Sequence, residues 1–146
     1  MDARFNRDAL IGRIQEIAKY KSQIVVYNKE IRSFISGVIP KYQANAFVYF
    51  DPAYFENGQR LYKNFFSPTD HTDIALSIIN GVNCPWVITY DDVPELRGIY
   101  SNYVQRRYNL NYSAANKGKG SEIIIFKDSY LLPPSDEVRK CMGDFQ

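Results

Sequence analysis

A short apolar segment ends at an Asp-Pro pair, and this pattern constrains the fold of the chain more than any other feature of the sequence. The sequence from Val48 to Tyr54 is Val-Tyr-Phe-Asp-Pro-Ala-Tyr. The apolar residues Phe47–Phe50 predict a strand buried in a parallel sheet, and the proline ends it because proline cannot extend the hydrogen-bonded ladder. Open α/β folds bind their ligands at the carboxyl ends of such strands. Asp51 is therefore a candidate reactive carboxylate, although most Asp-Pro pairs after a strand only terminate it.

The composition bounds the class of protein. The chain has 146 residues, of which 45% are hydrophobic and 23% charged, and this suits one globular domain. A formal net charge of +2 neither requires nor excludes binding to nucleic acid. Cys84, Cys141 and the single His71 lack the spacing of metal ligands, so we predict no metal site and reduced thiols of a cytoplasmic protein. The apolar runs are far shorter than the roughly 20 residues of a membrane-spanning helix, which predicts no membrane partner.

Periodic patterns predict helices and strands that alternate along the chain. Asn6 and Ser67 are good helix caps, and Pro68 suits a first helical position. His71, in the first turn of its helix, is expected to be a structural, hydrogen-bonding residue. The predicted elements are a helix from Asn6 to about Tyr20, a strand Ile24–Tyr27, a helix Glu30–Ser36, a strand Phe47–Phe50, a helix from Pro68 to about Asn80, a strand Pro85–Tyr90, a helix Pro94–Tyr100, and strands Val104–Tyr112 and Glu122–Phe126.

Two neighbouring strands are expected to bring carboxylates to one edge of the sheet. The strand Pro85–Tyr90 is followed by Asp91 and Asp92, just as Asp51 follows the first strand. A ligand crevice at that edge would have this pattern. Asp92 is equally suited to cap the helix that follows, and both interpretations stay open.

A basic hairpin follows. Val104–Tyr112 alternates with a period of two, which places Arg106 and Arg107 on opposite faces, and its connection to the next strand contains Lys117 and Lys119. These four cations could contact DNA phosphates, although a solvated hairpin tip is the ordinary explanation.

Further residues follow Asp51 at the spacing of one enzyme family. They are Gly58, Leu61, Tyr62, Phe65, Asp70, His71, Ala75, Leu76, the run from Trp86 to Asp92, Tyr100, and the run from Gly120 to Ile125. In order and spacing the chain resembles the carboxyl-terminal half of bacterial and phage Dam-type adenine-specific DNA methyltransferases. The resemblance weakens after about residue 127, so we expect a catalytic-half domain at 1–127 and a loosely packed tail at 128–146.

The resemblance implies a partial Rossmann-like fold with a mixed sheet that ends in an antiparallel hairpin, and an enzyme that methylates a flipped adenine of double-stranded DNA. Tyr54 would stack on the base, while the Asp51 carboxylate and the Pro52 carbonyl would accept the hydrogens of its amine. The methyl donor would be S-adenosylmethionine, near Asn28, Glu30 and Asp51. An exposed Glu30 at a helix start is equally well explained by the helix dipole.

Two departures from the family pattern shape the functional hypothesis. Ala53 stands where the family usually has a second proline, and the amino-terminal half with its glycine-rich donor-binding turn is missing. We therefore expect a truncated or split enzyme that alone binds S-adenosylmethionine weakly or not at all and whose partner is a separate amino-terminal fragment or a second copy. The alternatives are a non-enzymatic methylase remnant that binds nucleic acid or protein, and an unrelated α/β structural protein.

The missing half also leaves the edge of the Phe47–Phe50 strand without its usual neighbour. An apolar strand with a bare edge exposes unpaired main-chain groups. We expect Ile24–Tyr27 to pair with this edge in a sheet of four or five strands, because that segment lies on the same polypeptide.

Overall fold

The computed structural model describes residues 6–56, 66–111 and 119–134 and divides the chain into two compact units, Met1–Glu30 and Ile31–Gln146. In the first unit, helix α1 spans Arg7–Ala18. It starts as predicted, because Asn6 Oδ1 accepts a hydrogen bond of 3.1 Å from Ala9 N. Its apolar stripe is not buried: Ile14 is 66% exposed.

The predicted strand Ile24–Tyr27 is wrong. These residues form no strand, and the sheet of the described chain is built without them. Val25 and Val26 are 70% and 87% exposed. A β-branched run favours a strand only where a neighbouring strand can pair with it, and no described strand pairs with this one. The expected pairing of this segment with the Phe47–Phe50 strand is therefore also wrong.

The second unit contains the remaining elements close to their predicted positions. They are α2 (Ile31–Gly37), β1 (Val48–Phe50), α3 (Pro68–Gly81), β2 (Trp86–Asp91), α4 (Pro94–Ile99), β3 (Val104–Asn111) and β4 (Lys119–Phe126). Two short 3-10 helices that were not predicted lie at Ile39–Lys41 and Ser129–Leu131. β4 begins before the predicted Glu122 because its pairing with β3 continues to Asn111 opposite Lys119.

The four described strands form one mixed sheet in the order β1-β2-β4-β3. β1 is parallel to β2, with Val48 opposite Trp86, whereas β2 and β3 both run antiparallel to β4. The fold is therefore α/β, with the predicted antiparallel hairpin of β3 and β4. Such a sheet is compatible with part of a Rossmann-like fold.

The core lies on one face of this sheet. Ile88, Tyr90, Ile123 and Ile125 are at most 1% exposed and pack on apolar residues of the helices. The core residues of the α-helices are Ile35, Ile74, Ala75, Ile78 and Leu96, and the 3-10 helix Ile39–Lys41 adds Ile39. Residues at the alternate positions of the strands lie on the opposite face, which we call the outer face.

β1 does not have the two buried faces that its apolar sequence predicts. Phe50 is buried on the core face, but Phe47 and Tyr49 are 59% and 57% exposed. Within the described sheet β1 is an edge strand, paired only with β2. The uniformly apolar sequence therefore overstates its burial, because no described element covers its outer face.

A capping box fixes the start of α3. Asp70 N donates to Ser67 Oγ at 3.2 Å, while Asp70 Oδ2 accepts from Ser67 N at 2.8 Å and from Ser67 Oγ at 2.6 Å. These hydrogen bonds, first that of the Ser67 side chain, lower the pKa of Asp70. The box sets the register in which α3 presents His71 and Ile74 to the interior.

We expect Ser67→Ala to lower the free energy of unfolding by about 1 kcal/mol, because it removes the acceptor of the Asp70 N–H and a donor to the Asp70 carboxylate. Urea denaturation measures this. Ser77→Ala on the same helix is the matched control, with an expected change within about 0.5 kcal/mol. An equal loss in both variants would show that the cap does not hold the helix start.

Candidate active site

Three carboxylates meet where β1 and β2 end. Asp51 directly follows β1, Asp91 is the last residue of β2, and Glu122 of β4 lies opposite Asp91 in the antiparallel register. Because β1 and β2 are parallel, their carboxyl ends share one edge of the sheet. The expectation that both strands bring acids to one edge is met, and we call these three residues the carboxylate edge.

The Asp91 carboxylate holds the segment that follows Asp51. Its Oδ1 accepts a hydrogen bond from Phe55 N and its Oδ2 one from Glu56 N, both at 2.8 Å. Asp91 is 8% exposed, so these charge-assisted hydrogen bonds form with little competition from water. Asp91 therefore fixes the turn at residues 51–56.

Glu122 fixes the same turn from the neighbouring strand. Its Oε1 accepts a hydrogen bond of 2.8 Å from the Tyr54 hydroxyl, and its Oε2 accepts one from the Tyr108 hydroxyl. Burial, and then the hydrogen bond to Glu122 and its charge, raise the pKa of Tyr108 well above its usual value. Tyr108 therefore stays a donor, and the Tyr54 ring is oriented through its hydroxyl.

Asp51 differs from the other two carboxylates because it is exposed. Its Oδ1 accepts a hydrogen bond of 3.2 Å from Thr89 Oγ1, which lies 2.7 Å from the Tyr49 hydroxyl. A threonine hydroxyl has one proton, and a carboxylate only accepts, so Tyr49 donates to Thr89 and Thr89 donates to Asp51. Within the described part of the chain, Asp51 Oδ2 has no side-chain partner. Asp51 can therefore accept a hydrogen bond from a ligand.

His71 lies beneath the turn with no exposed surface. Its ring contacts Phe55, Phe66 and Tyr90, and its Nδ1 is 3.4 Å from the Tyr90 hydroxyl. Burial lowers the pKa of His71, although the nearby Asp91 and Asp70 charges oppose the shift.

Two of the four predicted DNA-contacting cations, Arg106 and Arg107, lie on opposite faces of β3. Arg106 pairs with Ile124 on the outer face, whereas Arg107 pairs with Ile123 on the core-facing side. Arg107 Nε lies 3.1 Å from Asp92 Oδ2 in an ion pair. Lys119 is the first residue of β4, and Lys117 falls outside the described residues.

Asp92 neither caps α4 nor joins the carboxylate edge. Val93 is the residue before α4 and makes no side-chain cap, while Asp92 forms ion pairs with Arg97 and Arg107. The predicted donor-binding residues Asn28 and Glu30 are exposed and belong to the first unit. Asp51, Pro52 and Tyr54 are the predicted site residues that the structure brings together.

Sequence reasoning did not identify Tyr49, Thr89, Tyr108 and Glu122 as parts of the site. One signal was present, because Tyr49 and Asp51 are two residues apart and share the outer face. The partners Thr89, Tyr108 and Glu122 reach this place only through the registers of β2, β3 and β4. Such registers depend on tertiary pairing, and the sequence alone does not specify them here.

The described glycines do not fit the methionine end of S-adenosylmethionine. A donor-binding turn would need glycine between a strand and a helix, where the main chain can approach the ligand closely. Gly12, Gly37, Gly81 and Gly98 all lie in helices, and Gly120 lies in β4. The described residues therefore contain no glycine turn between a strand and a helix.

Across residues 6–56, 66–111 and 119–134, no three His, Cys, Asp or Glu side chains are grouped to hold a metal ion. The helices in these ranges are too short or too polar to cross a bilayer. Comparison with protein-family models and with curated proteins finds no match for this chain.

We expect Asp91→Asn to lower the free energy of unfolding by about 1–3 kcal/mol, because an amide nitrogen cannot accept the second main-chain N–H of the turn. Asp73→Asn is the control: Asp73 is about half exposed, lies 3.7 Å from Arg32, and should change stability by no more than about 0.5 kcal/mol. Urea denaturation compares the two, and equal effects would argue that Asp91 does not hold the turn.

Proposed function

We propose that this chain is the target-base half of a Dam-type, adenine-specific DNA methyltransferase. The observation that supports this most is the exposed Asp51 carboxylate at the end of β1, followed by a turn that two buried carboxylates hold in place. The Asp51 carboxylate, the Pro52 carbonyl and the Tyr54 ring all belong to the first four residues of this turn. These are the groups that the sequence resemblance assigns to adenine recognition.

The proposed chemistry is positioning and charge stabilisation. An adenine in a duplex must be flipped out to be reached, and Tyr54 would stack on the flipped base. The exocyclic amine is a poor nucleophile because its lone pair is delocalised into the ring. When Asp51 and the Pro52 carbonyl accept its two hydrogens, the nitrogen lone pair is directed towards an electrophile. The Asp51 charge also stabilises the positive charge that develops on the nitrogen.

A second polypeptide would supply the donor side of the site and S-adenosylmethionine. Val48 N donates to Pro85 O at 3.0 Å, so the main-chain groups of Phe47 and Tyr49 are directed away from β2. These groups form a sheet edge beside an open, mainly apolar cavity of about 360 Å³ lined by residues such as Phe34 and Ile39. The described residues of a second copy would bring no such glycine turn, so we favour a separate amino-terminal fragment.

The alternative is a methylase remnant that binds nucleic acid or protein without catalysis. The lack of a donor-binding glycine turn among the described residues favours it. Both hypotheses predict a base-binding surface when the ligand is DNA, but only the split enzyme transfers a methyl group.

We expect Tyr54→Ala to weaken binding to a duplex with an adenine opposite an abasic site by about tenfold or more, since stacking contributes about 1–3 kcal/mol per base. Tyr54→Phe is the matched control: it keeps the ring, loses the hydroxyl that donates to Glu122, and should bind within a few-fold of the wild type. Fluorescence anisotropy measures both affinities, with a fully paired duplex for comparison. If Tyr54→Ala weakens binding to both duplexes equally, there is no base pocket at Tyr54.

We expect Asp51→Ala to reduce methyl transfer by a factor of about 10² to 10³ when the chain is combined with the amino-terminal half of a Dam-type enzyme, by analogy with other preorganised charge sites. Transfer of a radiolabelled methyl group to DNA is the measurement, and the chain alone should give none. Glu56→Ala is the control, because it removes an exposed carboxylate of the same turn and keeps the main-chain N–H that donates to Asp91. This variant should retain activity. Near-normal turnover by Asp51→Ala would mean that the site is misassigned.

A further inference from the structure

The lone histidine packs directly against the turn that presents Asp51. The ring centroid of His71 lies 4.9 Å from that of Phe55, 5.5 Å from that of Phe66 and 5.7 Å from that of Tyr90. Phe55 is also the residue whose N–H donates to Asp91. The imidazole therefore contacts both sides of this hydrogen bond: the turn, through Phe55, and the end of β2, through Tyr90.

The site around His71 suits a neutral imidazole. Its Nδ1 has one hydroxyl nearby, that of Tyr90 at 3.4 Å, and its Nε2 is buried with no hydrogen-bond partner in the described ranges. A protonated imidazole has two N–H donors, and burying one without an acceptor is unfavourable. The neighbouring aromatic rings offset part of this penalty but accept no strong hydrogen bond.

We propose that His71 is a positioning residue for the turn at residues 51–56, and that protonation of its imidazole releases Phe55 and Glu56 from the Asp91 carboxylate. The release concerns this turn alone. Its consequence for adenine binding rests on the proposed function, because the same turn carries Asp51 and Tyr54.

The charges around His71 explain how protonation acts on the turn. Tyr90 and Asp91 face it from β2, Asp70 from its own helix, and the turn contributes the uncharged Phe55 next to the exposed Glu56. Asp91 is the larger of the two acidic influences on the imidazole. An imidazolium would attract the Asp91 carboxylate and so compete with the two turn N–H groups that this carboxylate accepts. The cost of burying the imidazolium charge would also favour movement of the ring out of the aromatic site.

The direction of the pH effect follows from linkage. Burial lowers the pKa of folded His71 below its unfolded value of about 6.5, so the unfolded chain binds more protons between these two values. Stability and turn order are therefore complete above about pH 6.5 and decrease as the pH falls through the folded pKa of His71.

Nuclear magnetic resonance on the full chain, without DNA, tests whether the turn responds to protonation of His71. The chain has one histidine, so its imidazole signal is unambiguous. We expect the amide resonances of Phe55 and Glu56 to shift with the same midpoint as the His71 ring, below pH 6.5. The amide of Gly12 in α1 is the control and should not follow this midpoint. Binding of the abasic-opposed adenine duplex should weaken through the same pH range if the proposed function also holds.

Two variants separate His71 from the acids beside it. His71→Phe keeps an aromatic ring but cannot be protonated, so the Phe55 and Glu56 amides should lose this transition. If His71→Phe does not fold, His71→Gln gives the same comparison of midpoints. An unchanged amide transition in either folded variant, or wild-type amides that do not follow the imidazole, would overturn the proposal. Shared midpoints without any binding of DNA would support the switch and count against the proposed function.

Discussion

The Asp91 carboxylate accepts two main-chain N–H groups from the turn after β1, and the arrangement of the candidate site depends on this contact. Ordering each residue of a turn costs about 1–2 kcal/mol in conformational entropy, so a turn of this length needs strong local anchors. A buried carboxylate with both oxygens engaged is such an anchor. It fixes the backbone that carries Pro52 and Tyr54 immediately beyond the sheet.

The three acids of the carboxylate edge have different environments despite their proximity. Asp91 and Glu122 are 8% exposed, and each accepts two hydrogen bonds from the surrounding chain. Asp51 is exposed and, among the described residues, accepts a hydrogen bond from Thr89. Two acids therefore stabilise the turn, and the third has capacity to bind a ligand. This division is a stronger reason to single out Asp51 than its place before a proline.

The edge position of β1 leaves one side of this strand open in the described sheet. Among the described strands, β1 pairs with β2 alone. The side chains of Phe47 and Tyr49 are exposed. An unpaired edge next to an apolar cavity is suited to a further strand. The proposal of a separate donor-binding polypeptide follows from this edge together with the positions of the described glycines.

The sequence by itself determined the local elements. The stop at Asp51-Pro52, the cap at Ser67, the period of two in β3 and the apolar run of β2 each depend on residues close together in the chain, and each is present within a few residues of its predicted bounds. Only the tertiary structure decided which strands pair. It left Ile24–Tyr27 out of the sheet, and it brought Thr89, Tyr108 and Glu122 to the turn through registers between strands far apart in sequence. The physical reason is that strand pairing and the burial of a polar side chain depend on partners distant in the chain, whereas caps and periodicity depend on neighbours.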